Sequence, residues 1–156
     1  MNEGIIQIYY GEGHGKSTAA IGNAIRYASE GKSVIIIQFL KGKNENELAF
    51  LNRLEPEIKI FRFAKSDESF EELSEQEQQE EAMNLRNGFN YGKKVVTTAA
   101  CDMLILDEVL GVIDEKVVTP QEMQELFENK PDDMTLICTG RVLEDSIRPY
   151  ADEIYN

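Results

Sequence analysis

Basic residues are scarce in this chain: 16 Lys and Arg stand against 29 Asp and Glu, giving a formal net charge of −13. Non-specific binding to DNA or RNA needs a cationic surface, so nucleic acid is excluded as a partner, and anionic membrane surfaces with it. An anionic ligand must then be held by a local positive site. Cysteine is nearly absent. Cys101 and Cys138 lie in or beside apolar stretches and form no CxxC pair, which predicts two reduced thiols packed in the core. His14 is the single histidine, and it cannot build a metal site alone. Tryptophan is missing altogether. No apolar run approaches the roughly 20 residues that span a bilayer. The opening Met1-Asn2-Glu3-Gly4 has no basic region, and the apolar run Ile5–Tyr10 is too short for a secretory signal. The expectation is a cytoplasmic protein. Its 156 residues suit one domain, 1–156, able to form a substantial core without staples.

What is present is a regular alternation. Ile5–Tyr10 and Ser33–Leu40 are short apolar, β-branched runs and read as buried strands. Between them, Lys16–Ser29 carries Ala20, Ile21, Ala24, Ile25 and Ala28 at helical spacing, and Gly31 closes the helix. A strand, a helix and a strand at this spacing imply a parallel pair with a right-handed crossover. Glu45–Leu54 reads as a short helix, Ile58–Phe63 as a third strand and Lys65–Phe70 as a loop. Ser74-Glu75-Gln76-Glu77 fits a capping box at the head of a long helix reaching about Thr98, with Gly88 and Gly92 arguing against its continuity. Its first turns carry Glu75, Glu77, Glu80 and Glu81, read as a solvated acidic face that suits the helix dipole. Asp102–Asp107 and Met134–Thr139 are further buried strands. Thr119-Pro120-Gln121-Glu122 starts another helix, Glu144–Tyr150 is a helical turn, and Ile154 begins a last strand. The pattern predicts an α/β fold: a mostly parallel open sheet with helices on both faces.

The segment Gly11-Glu12-Gly13-His14-Gly15-Lys16-Ser17-Thr18 follows a strand and opens a helix, as a P-loop does. Glycines let the backbone curl so that several N–H groups converge on phosphate oxygens, and the helix N-terminus adds its dipole. Lys16 supplies a point charge, and the Ser17 hydroxyl is a ligand for Mg²⁺. Glu12, an odd neighbour for phosphate, is expected to point outward. The loop is one residue short of the usual spacing, with Tyr10 where the first glycine is expected. A P-loop also needs a distal acid. Leu104-Ile105-Leu106-Asp107-Glu108 offers Asp107 for the metal side and Glu108 as a second carboxylate. Ligands of open α/β sheets sit at the carboxyl ends of strands. Arg141, after the fifth strand, is there either a phosphate contact or a surface arginine. Gln38 and Lys41, ending the second strand, carry the same two readings.

The stretches GEGHGKSTAAIGNAIRYASEGKSVIIIQFLKG, DMLILDEV and TGR, in this order and spacing, resemble the bacterial corrinoid (cob(I)alamin) adenosyltransferases of the P-loop type. The resemblance runs from Gly4 to about Ile154, and that family shares the shortened loop. It implies a P-loop NTPase fold of RecA-like type and a transferase of cobalamin biosynthesis, in which Co(I) of a corrinoid attacks the ribose 5′ carbon of ATP and triphosphate leaves. Carried over by position, Gly11–Thr18, Gln38 and Lys41 would bind ATP. Ser17, Asp107 and Glu108 would lie near Mg²⁺ or ribose, and Lys16, Glu108 and Arg141 would serve the transfer. A homodimer and a flavoprotein reductant are the implied partners. The family also crowds the lower face of the corrin with aromatics, including a Trp, after the third strand. Here Lys65–Leu73 offers only Phe70. The residues themselves leave two other readings open: another ATP-hydrolysing or phosphoryl-transfer enzyme, or a non-catalytic ATP- or corrinoid-binding module.

Overall fold

The computed structural model describes residues 4–13, 15–40, 52–66 and 68–156. Six short strands, β1 (Ile6–Tyr10), β2 (Val34–Gln38), β3 (Ile58–Arg62), β4 (Met103–Asp107), β5 (Thr135–Gly140) and β6 (Glu153–Tyr155), make one sheet in the order β3-β2-β4-β5-β1-β6. Every pairing is parallel. The helices are α1 (Gly15–Ser29), α2 (Glu75–Thr97), α3 (Val109–Asp114) and α4 (Pro120–Glu128). Among the described residues, no helix is long and apolar enough to cross a membrane.

A parallel sheet is covered on both faces, so its central strands read as unbroken apolar runs. Residue alternation still sorts the side chains. Ile35, Ile37, Leu104, Leu106, Leu136 and Cys138 share one face and pack against Leu85, Phe89 and Val96 of α2 and against α3 and α4. Val34, Ile36, Met103, Ile105 and Ile137 share the other and pack against Ala20 and Ala24 of α1. The two alanines let α1 lie close to the sheet, and this places its first turn beside the strand ends. Both cysteines are buried and free, and burial pushes the Cys101 thiol up to about 12.

Both capping boxes form, Ser74 with Glu77 and Thr119 with Glu122. Three readings change, and a fourth falls outside what is described. α2 runs without a break through Gly88 and Gly92. At Gly88 a Cβ would lie 3.1 Å from Phe63 and 3.2 Å from Phe39, so the glycine serves close packing of helix on sheet. Helix α3 follows β4 directly and had no sequence signal of its own. The short helix expected over Glu45–Leu54 lies outside the described residues except for the 3₁₀ turn Asn52–Leu54. Glu81 is no part of a solvated face. It is buried, and its carboxylate accepts from the backbone N–H of Lys65 at 3.0 Å, that of Ser66 at 2.8 Å and the Asn84 amide at 3.0 Å. Burial raises its pKa, but the hydrogen bonds and the Lys65 charge together carry it below the ordinary carboxylate value. The glutamate thus ties the exit of β3 to α2.

Candidate functional site

The sheet's alternation decides which polar side chains meet. Gln38 and Asp107 end β2 and β4, stand in register, and continue the stripe that faces α1. Thr139, two residues past Ile137 on β5, belongs to the same stripe. One row of polar side chains therefore caps the apolar layer beneath α1, directly against that helix's first turn.

The loop entering α1 bends through left-handed backbone, with φ of 120° at Gly11 and 125° at Gly13, a region side chains disfavour. It is anchored from β5: the Gly11 N–H donates to the carbonyls of Gly140 and Arg141, each at 3.1 Å. The Lys16 ammonium donates to the Gly13 carbonyl at 3.1 Å, so it lies folded over the loop. The Ser17 hydroxyl donates to Asp107 Oδ1 at 2.8 Å, and the Thr139 hydroxyl donates to the same oxygen at 3.0 Å. Thr139 also accepts the Glu108 N–H at 2.8 Å. That bond holds Glu108 in left-handed backbone, φ 64° and ψ 21°, at the entry to α3. A non-glycine residue in that region stores about 1 kcal/mol or more of strain, which persists where the surroundings over-determine it.

Burial pushes the pKa of Asp107 up, opposed by hydrogen bonds from Ser17 and Thr139, the charge of Lys16 and a hydrogen bond from Gln38. Glu108 is also pushed up, first by burial and then by the Asp107 charge, with Lys16 and Arg141 acting the other way. Two carboxylates thus crowd one spot beneath the cations that moderate them.

The outer contacts are looser. Arg141 and Glu12 approach to 3.4 Å with side chains 70% and 85% exposed, an ion pair of small net worth in water. Glu12 does point outward, and Arg141 follows the carboxyl end of β5. Thr18 is exposed in the first turn of α1. His14 and Lys41 lie outside the described residues. Sequence reading missed Thr139 as a site residue. The available signal was a hydroxyl at the carboxyl end of an otherwise apolar strand flanked by the P-loop strand and the acid strand.

Gly140 sets the spacing behind the site. A Cβ there would fall 2.3 Å from Leu110 Cβ and 3.2 Å from Leu110 Cα, and α3 would have to move. Gly140→Ala is expected to destabilise the fold by about 1–3 kcal/mol, as overpacking does, which denaturant unfolding would measure. ATP affinity should fall too, because the Gly140 carbonyl anchors the loop.

These residues suit a magnesium nucleotide. The α1 N-terminus with its dipole and the Lys16 charge favour an anion. Ser17 and Asp107 are the hard oxygen donors Mg²⁺ takes, and among the described residues no group of three His, Cys, Asp or Glu forms a protein-only cage. Mg²⁺ is commonly held by one or two protein oxygens together with substrate phosphates.

The family described as ATP:corrinoid adenosyltransferase BtuR/CobO/CobP matches residues 2–156. The corrinoid adenosyltransferase of Escherichia coli (strain K12) is 29% identical over 151 residues, covering 97% of this chain and 74% of that protein. Corrinoid adenosyltransferase CobA of Salmonella typhimurium (strain LT2) is 30% identical over the same shares. Among solved structures, flagellar accessory protein FlaH from Methanocaldococcus jannaschii matches 99% of this chain and 71% of its own at a TM-score of 0.64 and 17% identity. The KaiC-like protein PH0186 from Pyrococcus horikoshii matches 99% and 72% at 0.62 and 18%. At those identities the structural likeness speaks for the fold alone, the open α/β sheet of P-loop, RecA-like type. The family match speaks for more: it takes in the shortened loop, the paired acids and the end of β5 alike, and the chain belongs to the ATP:corrinoid adenosyltransferase family.

Proposed function

We propose that the residues gathered at the carboxyl ends of β1, β4 and β5 carry out the transfer of the 5′-deoxyadenosyl group of ATP to Co(I) of a corrinoid. The observation that carries this reading is the 2.8 Å hydrogen bond between Ser17 and Asp107, which joins the phosphate cradle to the acid strand. In the reaction the Co(I) lone pair attacks C5′, a Co–C bond forms, the C5′–O bond breaks, and triphosphate departs with the electron pair. Cobalt rises formally from Co(I) to Co(III). Charge accumulates on the leaving oxygen, so catalysis falls to groups that stabilise it there.

Gly11–Thr18 supplies those groups. The backbone N–H donors and the α1 dipole hold the triphosphate, and Lys16 leaves the Gly13 carbonyl to meet it. Ser17 and Asp107 hold Mg²⁺, which when bound offsets the charge of the departing triphosphate. Thr139 fixes Asp107 and Glu108 relative to one another. Glu108 faces the nucleoside side, and Arg141 closes on phosphate as its weak pairing with Glu12 gives way. The same reading carries a homodimer, a flavoprotein as the source of the reduced corrinoid, and a cytoplasmic setting.

Incubating the chain with MgATP and chemically reduced cobalamin is expected to yield adenosylcobalamin and triphosphate in equal amounts. ADP and phosphate with no new Co–C bond would overturn the reading.

A further inference from the structure

A buried side-chain amide ordinarily satisfies both ends, and Gln38 leaves its oxygen unsatisfied among the described residues. The residue is 4% exposed, and Oε1 has no hydrogen-bond partner among the described residues. Gln38 lies beside Asp107 and holds the pKa of that carboxylate down. A carboxylate oxygen accepts, so the end of the amide that acts on it in this way is Nε2, and Oε1 is left for another donor. Gln38 and Asp107 are register partners on adjacent strands with side chains on the α1 face. Oε1 is therefore a buried acceptor beside the Ser17–Asp107 pair, with no donor among the described residues.

The site's chemistry limits what can fill that vacancy. Triphosphate oxygens are acceptors and would be repelled by it. The Lys16 ammonium lies on the Gly13 carbonyl and is directed to phosphate. A water bound to a divalent cation is a strengthened donor, and Asp107 is the carboxylate beside which such waters stand. We propose that Gln38 is a positioning residue for the metal, its Oε1 accepting a hydrogen bond from a water on Mg²⁺ while its Nε2 keeps the Asp107 carboxylate turned toward the ion. The inference rests on the adenosyltransferase reading only as far as the binding of a magnesium nucleotide. It accounts for a buried polar residue ending an all-apolar strand, where a leucine would pack as well and leave no orphaned oxygen.

Outer-sphere partners of this kind typically change metal affinity by 10–100-fold. The test uses the full chain with a β,γ-imido analogue of ATP, and Mn²⁺ as a probe whose free concentration is read by electron paramagnetic resonance. Gln38→Leu and Gln38→Met, the second keeping the side-chain length, are each expected to raise the Mn²⁺ dissociation constant about tenfold or more. Analogue binding in the presence of a chelator should stay as in the wild type, and thermal midpoints without ligand should hold or rise, because the orphaned acceptor has gone. Mn²⁺ affinity within twofold of wild type in the folded variants would overturn the proposal. So would an equal loss of analogue affinity in chelator, which would make Gln38 a direct nucleotide contact. A wild-type chain that holds the analogue but shows no coupling between analogue and Mn²⁺ would also overturn it. Failure of the wild type to bind the analogue at all would instead bring down the adenosyltransferase reading, and this inference with it.

Discussion

Lys16→Ala should weaken ATP binding by about 100-fold, close to 3 kcal/mol, and slow adenosyl transfer by at least as much. The expectation follows from where the ammonium is and what it touches. Among the described residues its hydrogen-bond partner is the carbonyl of Gly13, three residues back in its own loop. It holds no element of the fold against another, so the unliganded chain should keep its stability and circular dichroism spectrum. In the acidic field of this protein, the Lys16 charge acts to hold down the pKa of both Asp107 and Glu108. Removing it withdraws a phosphate partner and also leaves two carboxylates facing a tetra-anionic ligand. Lys16→Arg should recover only part of the loss, since a planar fork does not replace a compact point charge in a loop this tight. Calorimetric titration with ATP and Mg²⁺ reads the effect directly. Unchanged affinity in Lys16→Ala would remove the loop from the binding site and the proposed function with it.

Much of this site was legible in the sequence because its parts are local. A strand, a glycine-rich turn and Lys-Ser at a helix start require one another within a dozen residues, and an apolar strand ending in Asp-Glu supplies the distal acid by the same short-range logic. The fold followed from the alternation of apolar runs and helical spacing. The residues that escaped act at long range. Thr139 ends a strand of ordinary apolar character, and only the strand order, with β5 lying between β4 and β1, puts its hydroxyl on Asp107. Glu81 looked like one more acid in a run of acids. Its burial depends on the chain leaving β3 turning back across α2 and offering two backbone N–H groups. Gly88 read as a weak point of a helix, because a lone sequence shows the entropic cost of glycine and hides the phenyl rings that a Cβ would strike. Helix α3 is six residues long, too short to carry a period, and it begins with a left-handed glutamate that no propensity argument would select. In each case the missing information was which strand lies beside which.

Asp107→Asn should separate function from stability. The side chain keeps its size, and its oxygen can still accept from Ser17 and Thr139, now at 2.8 and 3.0 Å. What is lost is the charge. The Asn amide offers N–H groups in place of a carboxylate oxygen, and the carboxylate that holds the ion and its waters is gone. Transfer activity should fall by about 100- to 1000-fold, in the range lost when one main electrostatic stabiliser is removed, and the Mg²⁺ concentration for half-maximal rate should rise. Stability should move the other way. Burial raises the folded-state pKa of Asp107 above its ordinary value, so the folded chain holds this proton more tightly than the unfolded chain does. A group shifted in that direction contributes stability that is full below its unfolded pKa and is lost as pH rises through the folded pKa. At neutral pH the ionised Asp107 is thus a cost to the unliganded fold that asparagine does not carry, and the variant should melt higher than wild type there. The gap should close as the pH is lowered toward the ordinary aspartate range, where the wild-type side chain is also neutral. Thermal melts of the two chains across pH 4–8 without nucleotide, beside rate measurements with ATP and reduced cobalamin, read both halves. A variant that is slower and also less stable at neutral pH would mean that Asp107 serves mainly as scaffold. A slower, more stable variant marks it as a residue kept charged, at a cost, for the metal it holds.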